Sequence, residues 1–378
     1  MLLRMTLSNT WHQIQTFLFP QLREEIGILT PAHQRLIVVL ETVRVEAFVP
    51  LWPGQPGRPP ADRQAIARAF IAKAVLGLPQ TNMLVERLLT DKALRRLCGW
   101  EWSRQVPSEA TFSRAFAAFA ASALPARVHE ALIAATHSER LVGHISRDAT
   151  AIEAREAPVK RAPAGPVPVK RKRGRPRKGE VVSPRPPTRL ERQAGMTLAE
   201  MLADLPTHCA IGTKRNAKGH QTSWIGYKPH IDVADGDIPV SCLLTSASLH
   251  DSQAAIPLAL ITAPRVTSLY DLMDSAYDAQ EIHARSMALG HVPIIEPNPR
   301  RGGKAARNQE ERARRHANSR LAEERRYDER SAAERVNSGL KDSYGGRFVR
   351  VRGHAKVYCH LMFGILALTV EQLMRLVI

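Results

Sequence analysis

Between Val159 and Arg192 the chain carries twelve Lys or Arg against two Glu, and eight of its 26 prolines fall between Pro158 and Pro187. Such a stretch buries too little apolar surface to fold alone, and each proline removes a backbone donor. It is therefore expected to be a disordered, basic loop over about 157–193, and whatever folds must close around it. Its local charge of +10 is over half of the +18 of the whole chain, in which Lys and Arg number 54 and Asp and Glu 36. That balance excludes an acidic disordered chain and argues against a simple small-metabolite enzyme. A concentrated basic excess beside a normal core points to a polyanionic partner, usually nucleic acid.

At the centre of the loop is Lys170-Arg171-Lys172-Arg173-Gly174-Arg175-Pro176-Arg177-Lys178-Gly179. Its Arg-Gly-Arg-Pro core resembles an AT-hook, whose thin backbone lies in a narrow A·T minor groove where two arginines meet enhanced negative potential. Arg173 and Arg175 are the candidate DNA contacts; the alternative is an unspecific phosphate-binding arm. Either way the affinity should fall with salt.

Before the loop the pattern is helical. Residues 1–60 mix helical patches with the break Pro53-Gly54-Gln55-Pro56-Gly57-Arg58-Pro59-Pro60. Residues 61–138 read as a compact helical unit, a DNA-binding candidate. Ile66, Phe70 and Ala74 share a face of one helix, a second runs from about Asn82 to Leu97, and a third begins after Ser108, a candidate N-cap. Phe112, Phe116 and Phe119 form its buried stripe, so Arg114 projects outward toward a partner. A plain bundle used for dimerisation fits those residues equally well.

After His137 the pattern changes to β. Strands are expected at His144–Ile152, Trp224–Ala234 and Ile238–Ser246, the last two joined by the turn Asp235-Gly236-Asp237. A helix, the strand Val266–Met273, the helix Ala279–Leu289 and the strand His291–Glu296 follow. The chain closes with helices at about Ala322–Lys341 and Val357–Ile378. This order implies an α/β domain over 140–378, a mixed sheet with flanking helices. His360, Glu371, Gln372 and Arg375 make the last segment too polar for a membrane span, so it should be a buried helix. The N-terminus has no continuous apolar run of the kind a signal peptide needs. Cys98, Cys209, Cys242 and Cys359 lie far apart with no metal-ligand spacing and read as reduced core thiols of a cytosolic protein.

Chemistry is expected at one edge of the sheet. Asp148 sits in a strand whose neighbours Ile145 and Ile152 are apolar, which is costly for a carboxylate unless it faces a metal or a partner. Asp274 follows a strand directly, at the carboxyl end where α/β sheets place ligands. Asp271, inside that strand, and Asp278, past Tyr277 in the next helix, are weaker competitors. On the next-to-last helix Tyr327, Arg330, Glu334 and Lys341 stand at offsets 0, 3, 7 and 14, a stripe about 60° wide at ~100° per residue. Glu flanked by Arg and Lys on one face fits a metal ligand beside phosphate-positioning cations, or else a solvated salt-bridge face.

The stripe resembles the Y-(2)-R-(3)-E-(6)-K signature of bacterial insertion-sequence DDE transposases. Asp-Ser-Ala-Tyr at 274–277 is similar to that family's second-aspartate motif, Ser146-Arg147-Asp148-Ala149-Thr150 to its first, and Val106–Arg114 to its helical N-terminal region. The resemblance implies an RNase H-like catalytic domain preceded by an all-helical region. It makes Asp148, Asp274 and Glu334 a triad for Mg²⁺ or Mn²⁺, two ions per site. Tyr327, Arg330 and Lys341 would then contact double-stranded DNA. It further implies cleavage of element ends and their joining to target DNA, a homodimer in the synaptic complex, no membrane, and a bacterial cytoplasmic, nucleoid-associated protein. The loop after the first strand is long for that fold. A nuclease without strand transfer and a catalytically silent DNA-binding protein are the alternatives.

Overall fold

The computed structural model describes residues 2–50, 61–159, 185–215, 219–298, 309, 311–314, 316–317, 319 and 321–377. The Pro53–Pro60 break, Arg173 and Arg175 lie outside these residues.

Among the described residues eight α-helices come first: α1 Leu2–Gln13, α2 Phe19–Ile26, α3 Pro31–Val43, α4 Arg63–Val75, α5 Thr81–Thr90, α6 Lys92–Cys98, α7 Glu109–Ala121 and α8 Leu124–His137. The helix expected over Asn82–Leu97 is two. Asp91 divides it, because its carboxylate accepts the Leu94 amide as the N-cap of α6 and also bonds His33 Nε2 at 3.1 Å. Helix α4 is buried on nearly all sides. Its Phe70 meets Phe116 at 4.8 Å and Phe112 at 5.9 Å between ring centroids, so the aromatic stripe of α7 faces inward as expected. Arg114 is exposed on the outer side of α7 and donates to the Thr111 hydroxyl.

Among the described residues the sheet has seven strands: β1 Leu141–Ala149, β2 Ile152–Glu153, β3 Ala210–Arg215, β4 Gln221–Ala234, β5 Ile238–Ser246, β6 Thr267–Met273 and β7 Val292–Ile295. Long β4 is flanked by β5 and β3 on one edge and by β1 and β2 on the other, all antiparallel to it. Then β6 joins β1 in parallel and β7 joins β6 in parallel. Three antiparallel strands continued by two parallel ones give the mixed α/β sheet of an RNase H-like domain. Strand β3 was not foreseen from the sequence. At Gly226, where β2 and β3 both pair with β4, an added Cβ would stand 2.1 Å from the Ile152 carbonyl oxygen, so this crossing needs glycine. The three-residue β4–β5 turn, Asp235–Asp237, has positive φ at Gly236 (82°) and Asp237 (60°).

Between β2 and β3 lie α9 Arg189–Gln193 and α10 Leu198–Asp204. Residues 185–193, assigned to the loop by composition, are thus part of the fold. Thr188 caps α9, Arg189 and Arg192 both pair with Asp204, and the buried Gln193 donates to the Gln253 carbonyl. Their charge is compensated locally, which composition alone does not reveal.

Helices α11 Ala255–Thr262 and α12 Gln280–Ala288 cover one sheet face; α13 Ala322–Tyr327, α14 Ser331–Asp342 and α15 His354–Arg375 lie on the other side. Among the described residues α15 alone is long and apolar enough to cross a membrane, but 83% of its most apolar window is buried within the protein. It packs against β5 and also against α3, α4, α7 and α8, with Phe363 stacked on Phe70 at 5.8 Å. The helical region and the α/β region therefore share one continuous apolar core, closed by the last helix. Burial of each such aromatic contributes about 1.5–3 kcal/mol. All four cysteines are buried and free.

Candidate active site

Adjacent residues of a strand face opposite sides of the sheet, and β1 uses both. Arg147 points to the α11 side, where its guanidinium pairs in bidentate fashion with the fully buried Asp232 at 2.7 Å and 2.7 Å. Thr262 also donates to Asp232, at 2.6 Å. Asp148 points the other way, to α14. Ser146, on the Asp148 side, donates to the Glu329 carbonyl at 3.1 Å and so ties the start of α14 to the strand.

The parallel register pairs Ser146 of β1 with Leu272 of β6, so two residues further on Asp148 and Asp274 stand side by side on the same face. Asp274 is held by its own backbone, accepting the Ala276 amide at 2.9 Å where the strand turns. Burial, with the Asp274 charge adding to it, pushes the Asp148 carboxyl up to about 6; the cations Lys214 and Arg330 oppose that shift. Asp271 lies on the opposite face. It pairs with Ile145, faces the Arg147 side, and is engaged by Ser286 at 2.6 Å and by His291 at 3.3 Å. Asp278 lies just before α12 rather than within it, and accepts the Asn298 amide at 2.8 Å.

The helix expected over Ala322–Lys341 is not continuous. Helix α13 ends at Tyr327, a 3₁₀ turn occupies Asp328–Arg330, and α14 begins at Ser331. The tether from Ser146 to Glu329 falls in this turn. The four stripe residues nevertheless stay on the side of the carboxylates. The Arg330 guanidinium lies 5.6 Å from the Tyr327 ring centroid and donates to Glu334 Oε1 at 2.7 Å. Burial raises the Tyr327 hydroxyl to about 12, with Glu296 and Asp274 contributing; its hydroxyl donates to Glu296. Lys341 is half-buried, and that burial together with the charges of Arg347 and Lys214 lowers its pKa.

Two participants were not foreseen. Lys214, on the unforeseen β3, has an exposed side chain whose charge acts on both Asp148 and Lys341. Neither lysine has a carboxylate within 4.0 Å among the described residues. Asn337 is the α14 side chain that touches Asp148, its Nδ2 donating to Asp148 Oδ2 at 3.0 Å. Its only signal in the sequence is position, since it shares the buried stripe of Ala333, Val336 and Leu340. Glu334, about 60° round the helix from Asn337, is exposed and turned to Arg330. Among the described residues no three His, Cys, Asp or Glu side chains come close enough to hold a metal ion. The structure thus brings Asp148 and Asp274 together and leaves Glu334 in an ion pair beside them.

Residues 148–370 match the family described as "Transposase DDE domain". The chain belongs to that family. A second match, to "Transposase domain (DUF772)", covers residues 25–118, so the transposase relationship extends into the helical region. No curated protein and no solved structure matches the chain. In this DDE transposase-family protein the matched segment starts at Asp148 itself and includes Asp274, Glu334, Lys341 and most of α15.

Proposed function

We propose that this protein binds the ends of its insertion sequence, cleaves them, and joins the 3′-hydroxyl ends to target DNA by metal-dependent phosphoryl transfer. The observation that carries the reading is the pair Asp148–Asp274 at the sheet edge, ringed by Lys214, Arg330 and Lys341, within a chain of the DDE family. Hard carboxylate oxygens suit Mg²⁺ or Mn²⁺. A cation there would also relieve the repulsion that helps to hold Asp148 half-protonated near pH 6. Asp148 and Asp274 would hold the ions, two per site, and Glu334 would complete the set. Bound divalent cations supply an activated hydroxyl and stabilise the leaving oxygen.

The protein's own residues do the rest. Glu334 becomes available when Arg330 exchanges it for a DNA phosphate, an exchange between two anions that keeps the guanidinium paired. Lys341 and Lys214, neither of which has a carboxylate within 4.0 Å among the described residues, grip the DNA backbone near the scissile phosphate. Tyr327 seats the terminal nucleotides against the Arg330 plane. Arg114 on the outer face of α7 and the AT-hook-like arm with Arg173 and Arg175 add DNA contacts away from the chemistry. A homodimer in the synaptic complex, in the bacterial cytoplasm and associated with the nucleoid, follows from the same reading. The test is incubation with Mg²⁺ and a duplex carrying the DNA that flanks the gene. Strand-specific cuts at the element ends, followed by joined products, are expected. Cuts without joining would reduce the protein to a nuclease, and no cuts with wild-type binding would leave a DNA-binding protein.

A further inference from the structure

Asn337 is the one side chain of α14 that reaches the Asp148 carboxylate, and only half of its amide is satisfied. The side chain is 6% exposed. Its Nδ2 donates to Asp148 Oδ2 at 3.0 Å, while its Oδ1 is buried with no hydrogen-bond partner among the described residues. A buried carbonyl oxygen left unpaired costs about 1–3 kcal/mol, so such an atom calls for a partner that the described residues do not supply. Turning the amide over does not help, because Oδ1 would then face an acceptor. The orphan oxygen shares its carbon with the nitrogen bound to Asp148, so it lies within the width of one amide of that hydrogen bond. Amide oxygens are hard donors of the kind that Mg²⁺ and Mn²⁺ accept beside carboxylates. Glu334, by contrast, is exposed and engaged by Arg330.

We propose that Asn337 Oδ1 is an oxygen ligand for the divalent cation at Asp148 and Asp274 in the DNA-free protein. On this view α14 offers the site two donors in turn, Asn337 before DNA binds and Glu334 after Arg330 has moved to a phosphate. The inference rests on the metal-dependent reading above, but its test reads cation binding without DNA or turnover. Mn²⁺ affinity is measured on the full chain by electron paramagnetic resonance, with thermal melting at increasing Mn²⁺ as a second readout.

Asn337→Ala should weaken Mn²⁺ binding about 10-fold or more and flatten the Mn²⁺-dependent rise in melting temperature. Asn337→Asp keeps an oxygen and loses the N–H; it should retain wild-type affinity or exceed it. Glu334→Gln should leave the DNA-free affinity within about twofold of wild type. Unchanged affinity in Asn337→Ala overturns the inference alone and leaves the orphan oxygen to a water. Equal loss in the Ala and Asp variants also overturns it, since Asn337 would then act only by holding Asp148. If wild type binds no Mn²⁺ without DNA, the inference is overturned, and the metal-dependent reading is judged separately by Mg²⁺-dependent cleavage of the duplex.

Discussion

Asp148→Asn should make the protein more stable while abolishing its chemistry, because the fold holds this charge at a cost. The ordinary carboxyl of an unfolded chain titrates near 3.9, whereas burial places the folded Asp148 at about 6. Between those two values the folded state binds one more proton than the unfolded state. Stability therefore falls as pH rises through that window, and the full cost is present above about pH 6. A shift of about two units corresponds to at most ~3 kcal/mol; the partial solvent access of Asp148 reduces this to about 1–2 kcal/mol. In D148N the new amide oxygen can still accept from Asn337 Nδ2, so the hydrogen bond survives and the charge does not. Urea denaturation in EDTA is the assay, run from pH 4.5 to pH 8. At pH 8 the variant should exceed wild type by about 1–2 kcal/mol, and the difference should shrink toward zero at the acid end. Added Mg²⁺ should stabilise wild type and not the variant, which also should not cut DNA. Equal or lower stability of D148N at pH 8, or a difference that ignores pH, would refute the reasoning.

Lys341→Ala and Lys214→Ala should each slow single-turnover cleavage of a pre-bound end about 5- to 150-fold, the equivalent of one phosphate contact worth ~1–3 kcal/mol. A rate within about twofold of wild type, with the protein folded, would return that lysine to the solvated surface. Replacing both Arg173 and Arg175 by Ala should weaken binding most on A·T-rich duplexes and lower the salt slope by about two units if both also neutralise phosphates. Equal losses on G·C-rich DNA would show a generic tether. Arg147→Leu leaves Asp232 charged and unpaired in the core, so thermal denaturation should report a loss of about 3–5 kcal/mol. A loss below ~1 kcal/mol would show that Thr262 alone satisfies Asp232.

Much of the molecule was legible in the chain. Two strand-like runs on either side of the Asp235-Gly236-Asp237 turn marked β4 and β5, and three phenylalanines at helical spacing marked the inward face of α7. That Asp274 directly follows a strand and Asp271 lies within it was also legible in the sequence. These signals are local, because strand and helix periodicity are written in neighbouring residues. The helix across Asn82–Leu97 and the one across Ala322–Lys341 were misread for one reason. In each, a distant side chain engages the chain at the break: His33 at Asp91, and Ser146 at Glu329.

The site itself divides along the same line. Sequence alone determined which carboxylates stand at strand ends and that Arg330, Glu334 and Lys341 recur at helical spacing. Tertiary structure decided that β1 and β6 pair in the register that brings Asp148 beside Asp274, that β3 carries Lys214 to them, and that α14 turns Asn337 inward and Glu334 toward Arg330. It also decided that the last helix closes the core of the first, through Phe363 on Phe70. Register, burial and the partner of a buried amide depend on residues far apart in the chain. Local pattern restricts those pairings, and the packed core selects among them.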